Sequence, residues 1–128
     1  MSTYSLSDAE LLIMRIIWNN GGELLFADLM KELNEMEKSW KVNTVLTFLS
    51  RLIEKEVLKV EKQGRLNRYI ALRTESEYTE SLTQSFLGKF FDGNAKNLVA
   101  SLLQQNSLTS EDIAELQEFW KGKGEDIG

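Results

Sequence analysis

Between Lys41 and Arg51 the chain sets Asn43, Thr44, Thr47 and Arg51 at helical spacing, with Lys41 just ahead of them. Asparagine and arginine can hydrogen-bond in pairs to the edges of bases. Threonine hydroxyls reach phosphates, and the threonine methyl packs on that of thymine. The set therefore has the chemistry of duplex reading. A polar helix face alone is more commonly just a solvated surface. What favours the duplex is a second cluster, Lys62, Arg65 and Arg68, around Gly64 in a stretch that reads as a β-ribbon. Cations on a protruding ribbon have no core to serve and suit a sugar-phosphate backbone or a minor groove.

Other chemistries are excluded by what is missing. The 128 residues contain no Cys and no His, which removes disulfides, thiolate nucleophiles, imidazole bases and nearly every zinc or copper site. No catalytic residue, metal or cofactor is expected. Glu111, Asp112, Glu115 and Glu118 form an acidic run at a helix start, where carboxylates favour the helix dipole and stay solvated. Glu54 and Glu56, two apart on a helix, point to different sides and do not make an acid/base pair. A carboxylate-based hydrolase finds no support in the spacing.

The net charge of -5 hides a segregation. Residues 1–73 carry eleven Lys+Arg against ten Asp+Glu, and residues 74–128 four against ten. Within 38–73 nine basic residues face three acidic ones, a local basic patch inside an acidic protein.

The elements that must position these side chains follow from periodicity. Ser7 and Glu10 form a capping box that starts a broadly apolar helix, ended by Asn19, Asn20, Gly21 and Gly22. Leu24, Leu25 and Phe26 predict a short strand, and Leu29, Met30 and Leu33 a second helix. A third helix runs from about Val42 to Lys55, burying Val45, Phe48, Leu49, Leu52 and Ile53 and presenting Asn43, Thr44, Thr47 and Arg51. Residues 57–62 and 68–72 predict a hairpin whose loop holds Gly64 and Asn67, both tolerant of positive φ. Trp18 and Trp40 read as packing residues. Helix, strand, helix, helix and hairpin in that order make a winged helix-turn-helix.

The remainder is helical. Thr74 and Glu77 repeat the capping pattern, followed by an aromatic stripe; Leu98 and Leu102 lie in a second helix; Thr109 and Asp112 cap a third, and the Lys121–Asp126 tail reads as frayed. Three short amphipathic helices enclose little interior, so their apolar residues are expected to meet a second copy. Tyr78, Leu82, Phe86, Phe90, Leu98, Leu102, Leu116 and Phe119 are the expected dimer residues. The fold expected is mostly α with a small β-wing: a winged-helix domain at 1–73 and a helical dimerisation domain at 74–128.

Several separated stretches resemble the BlaI/MecI/CopY penicillinase-repressor family of bacterial winged-helix regulators. They are Leu6–Glu10 with Ile13–Trp18, Trp40–Lys55, Phe86–Gly93, Asn97–Val99 and Leu108–Leu116. The resemblance implies a homodimeric repressor on an inverted-repeat operator, dimerised through its C-terminal helices. It matches Thr44, Thr47 and Arg51 to the recognition-helix pattern and sets Arg68 and Tyr69 on the wing, where both are expected to contact DNA. In β-lactam-responsive members a membrane sensor-protease triggers cleavage in the dimerisation region; the matching bond here is Ser101–Leu102. The copper-responsive branch carries a C-terminal cysteine cluster that this chain lacks.

The function expected is a DNA-binding repressor acting on a double-stranded operator, induced by proteolysis or another signal acting on the dimer. The alternative is a winged-helix interaction module whose basic hairpin docks an acidic protein. The opening Met1–Leu6 has no basic segment leading an apolar one, and no apolar run approaches the ~20 residues of a membrane span. A cytoplasmic protein without membrane insertion is expected.

Overall fold

The computed structural model describes residues 5–127, with side chains through 123. Met1–Tyr4, part of the stretch read for an export signal, lie outside the described residues. The first unit opens with helix α1 (Asp8–Asn19), strand β1 (Glu23–Leu25), helix α2 (Phe26–Glu35) and helix α3 (Val42–Glu54). Strands β2 (Leu58–Gln63) and β3 (Leu66–Ala71) follow, then helices α4 (Glu75–Phe91), α5 (Ala95–Gln104) and α6 (Ser110–Ile127).

Helix starts obey their sequence signals. The Glu10 amide donates to Ser7 Oγ (3.2 Å) while the Ser7 amide donates to Glu10 Oε1 (2.9 Å). The same reciprocal box joins Thr74 to Glu77 and Thr109 to Asp112. Helix ends are less regular in a chain without proline. α1 stops at Gly21 and Gly22, with φ of 81° and 89°. α2, α3 and α5 instead end on Glu37, Glu56 and Asn106, non-glycine residues at φ near 60° that close Schellman turns. In each, the following amide donates back into the last turn, as Val57 N–H does to the Leu52 carbonyl (3.2 Å).

Two boundaries differ from the sequence reading. β1 begins at Glu23, and Phe26 opens α2 instead of closing the strand. The hairpin turn contains only Gly64 and Arg65, with Gly64 at φ 64° as a type II′ turn requires of its first central residue. Asn67 lies in β3 opposite Lys62 rather than in the loop. The sheet order is β1-β3-β2, antiparallel throughout.

The core of the first unit gathers Ile13, Met14, Ile16 and Ile17 from α1, Leu29 and Leu33 from α2, and Val45, Leu49 and Leu52 from α3, closed by Leu24, Val57, Leu58 and Tyr69. Each such aliphatic side chain contributes about 1.5–3 kcal/mol by leaving water. Trp40 packs edge-on against Phe48 at 5.2 Å, and Trp18 Nε1 donates to the Arg73 carbonyl (2.8 Å), so both indoles serve packing.

The chain divides into two compact units, Met1–Thr83 and Gln84–Gly128. The first half of α4 belongs to the first unit, where Tyr78 is 7% exposed, lies 6.0 Å from the Trp18 ring, and accepts the Leu6 amide at its hydroxyl (3.1 Å). Tyr78 was expected on a dimer face; here it is a packing residue of the winged unit, because Trp18 and the Leu6 N–H are already there to receive it. In the second unit Leu87 is buried, whereas α5 contributes no buried residue. The backbone of α6 continues as helix to Ile127, through the tail expected to fray; each interior glycine weakens a helix by about 1 kcal/mol without ending it.

Candidate nucleic-acid interface

α3 is two-sided. Val45, Leu49 and Leu52 line its buried edge, and Asn43, Thr47 and Arg51, each four residues on, form an exposed stripe with Thr44 alongside. Lys41 at the N-cap is exposed as well. Thr47 Oγ1 donates to the Asn43 carbonyl (2.9 Å), which leaves the Thr47 methyl and oxygen lone pairs for another partner. Among the described residues, the side chains of Lys41, Asn43, Thr44 and Arg51 hold no hydrogen bond or ion pair.

The start of α3 also differs electrostatically from that of the other helices. α1, α4, α5 and α6 are capped by Ser7, Thr74, Asn94 and Thr109, and α2, which has no side-chain cap at Leu25, carries Asp28 in its first turn, but Lys41 supplies no side-chain cap and the first turn of α3 holds no acid. The first-turn amides and the positive end of the helix dipole are left for an outside acceptor.

The ribbon is sorted by its pleat. Successive residues point to opposite faces, so Arg68 and Tyr69 cannot share a surface. Tyr69, expected on DNA, is 5% exposed, lies 6.4 Å from the Phe26 ring, and has its phenol pKa raised by that burial. It is a core residue. Arg68, likewise expected on DNA, is engaged on the opposite face: Nη1 donates to Glu23 Oε1 (3.0 Å) and Nη2 to Gln63 Oε1 (3.3 Å). Lys59 pairs with Glu61 (3.1 Å). Lys62 and Arg65 are exposed and, among the described residues, unpaired.

Lys55 is also withdrawn from the basic patch. Its Nζ lies 2.6 Å from Glu10 Oε1, and the Glu10 side chain is 2% exposed. Burial raises the Glu10 carboxyl, but hydrogen bonds from Lys55 and Ser7 and the Lys55 charge outweigh it and hold the group below its ordinary value. Periodicity could not reveal this pair, since its members lie 45 residues apart.

In the second unit, Phe86, Phe90, Leu116 and Phe119 are 43%, 64%, 52% and 70% exposed. Leu82, on α4 just before the unit boundary, is also exposed. Leu98 and Leu102 are half-buried within their own chain, and Val99, Leu103 and Trp120, members of the same apolar stripes, are more open. With Leu108, Ile113 and Leu116, these three line an apolar groove of about 280 Å³. Ser101 and Leu102 sit inside α5, where Ser101 Oγ accepts from Gln105 Nε2 (2.9 Å). Among the described residues no helix is long and apolar enough to cross a membrane.

The winged unit resembles the solution structure of the DNA-binding domain of the repressor BlaI, with a TM-score of 0.53 and 35% identity over 60% of this chain and 92% of that one. It also resembles Bacillus licheniformis BlaI, in its monomeric form, in complex with the blaP half-operator, with a TM-score of 0.51 and the same identity and coverage. Fold and likeness together define a winged-helix DNA-binding transcriptional repressor, a class without catalytic activity. Residues 6–122 match the penicillinase repressor family, and the chain belongs to it. The Penicillinase repressor of Bacillus licheniformis is 35% identical over 89% of this chain and 88% of its own length. The Methicillin resistance regulatory protein MecI of Staphylococcus aureus (strain N315) is 28% identical over 94% of this chain and 97% of its own.

Proposed function

We propose that this repressor binds an inverted-repeat operator as a cytoplasmic homodimer, with α3 of each protomer in a major groove and the ribbon tip on the adjoining backbone. The observation that carries this reading is the unengaged stripe Asn43–Thr47–Arg51 directly opposite the buried edge of α3. Asn43 and Arg51 read base edges with the Thr47 methyl between them, Thr44 and Lys41 hold phosphates at the open helix start, and Lys62 and Arg65 neutralise phosphates beyond the groove. Arg68 and Tyr69 support the ribbon from within the protein.

Dimerisation is supported by the exposed Phe86, Phe90, Leu116 and Phe119, which are far more apolar than a solvated face requires. Two linked half-sites bind much more tightly than one, so a signal that separates protomers relieves repression without touching α3. Cleavage by a sensor-protease at Ser101–Leu102 is one such signal, and it requires a turn of α5 to unwind before the bond can enter a protease cleft.

A salt series tests the reading. Affinity for a duplex should fall linearly in log-log form, by about 0.9 per phosphate neutralised. Absence of binding would remove DNA as the partner, and a salt-independent affinity would take Lys41, Lys62 and Arg65 off the phosphates.

A further inference from the structure

The Glu23–Arg68–Gln63 contact spans all three strands of the sheet: Glu23 stands on β1, Arg68 on central β3 and Gln63 at the end of β2 beside the turn. Arg68 is the most enclosed of the ribbon cations, with 29% of its side chain exposed, and its planar fork is split between two acceptors on different strands. A two-stranded ribbon is otherwise free to twist about its base. β1 is only three residues long and pairs with β3 no further out than Arg68, so beyond that point nothing in the sheet backbone ties the hairpin to the body.

We propose that Arg68 is a positioning residue for DNA binding: clipped to Glu23 and Gln63, it fixes the direction of the outer hairpin and thereby places Lys62 and Arg65 on the duplex. This rests on the proposed DNA reading and deepens it. A planar, five-donor guanidinium suits this position as an ammonium does not. Glu23, an acid, has a definite part in it, since its charge holds Arg68 in place across the sheet.

The Glu23→Ala variant is the deciding measurement because it sets the two roles of Arg68 against each other. If Arg68 touched phosphate, removing Glu23 would free a cation and delete a negative charge, and affinity would rise. If Arg68 is a clip, the same change releases the ribbon, and affinity falls although the protein has become more basic. Binding is read by fluorescence anisotropy on the full chain with a mixed-sequence duplex of roughly three helical turns, across a salt series.

The expected result is that Glu23→Ala and Arg68→Ala weaken binding to a similar extent. Each lowers the salt slope by up to about two, for the two ribbon contacts, and the double variant is no worse than either single. The charge-swapped pair Glu23→Arg with Arg68→Glu should restore much of the loss, which a direct phosphate contact at Arg68 forbids. Tighter or unchanged binding by Glu23→Ala, additive losses, or failure of the swap would overturn the clip. Lys62→Ala with Arg65→Ala serves as the control. If that variant binds like the parent, the ribbon does not meet DNA and the error lies in the underlying reading rather than in the role of Arg68.

Discussion

Lys55 Nζ and Glu10 Oε1 lie 2.6 Å apart, joining the C-cap of α3 to the first turn of α1. The partners are unequally placed: Glu10 is 2% exposed and Lys55 29%. Glu10→Gln leaves an ammonium that can turn to water, and should cost about 2 kcal/mol, below the range for breaking a fully buried pair. Lys55→Met strands a buried carboxylate and should cost more, about 3 kcal/mol. Urea unfolding would give the order. An equal or reversed ranking would show that Glu10 is not held as a charge.

The same pair sets an acid limit. The folded state holds the Glu10 carboxyl below its ordinary value, so its contribution is full above that ordinary value and fades as pH falls through the lowered folded one. Melting temperature should therefore drop toward acid more steeply in the parent than in Glu10→Gln. Parallel profiles would contradict the lowered carboxyl.

Glu37 and Glu56 each stand at φ 61°, in the left-handed region that costs an L-residue about 1 kcal/mol or more. Glycine relieves that strain and loses some entropy on folding, so Glu37→Gly and Glu56→Gly should each stabilise by about 0.5–1 kcal/mol. Urea midpoints should rise at constant slope. A fall in either midpoint would mean that the glutamate side chain makes a compensating contact.

On α3, the two kinds of contact separate by what they distinguish. Arg51→Ala should cost about 1–3 kcal/mol on the preferred sequence and little on a random duplex, as loss of a base contact does. Lys41→Ala and Thr44→Ala should weaken both duplexes alike, and Lys41→Ala should lower the salt slope by about one. Anisotropy titrations on the two duplexes would show it. Equal losses for Arg51→Ala on both would move Arg51 from base to backbone.

How much of this was legible in the sequence depended on range. Ser7 with Glu10 and the stripe Asn43–Thr47–Arg51 are local patterns, and both stand as read. Tyr78 looked like part of one long aromatic stripe, yet its partners Trp18 and Leu6 come from the other end of the unit. Arg68 looked like a free cation, yet its acceptor is a strand brought in from 45 residues away. Strand alternation did hold one unused clue: Arg68 and Tyr69, being adjacent, could not both face DNA.

Phe119 is 70% exposed and Phe90 64% in a single chain, so neither does much to hold its own unit together. A charge at either position should therefore leave the helical content of the protein intact and act on self-association alone. In a two-fold dimer each substitution is felt twice. Losing about 1.5 kcal/mol or more of apolar burial per copy weakens the dimer by at least ~100-fold, before the cost of burying a charge is counted. Phe119→Glu and Phe90→Glu should thus sediment as monomers at roughly micromolar concentration where the parent is a dimer, while retaining weak, salt-sensitive binding to a single half-site. A monomeric parent under those conditions would refute the dimer. Dimeric variants would place the interface elsewhere on the chain.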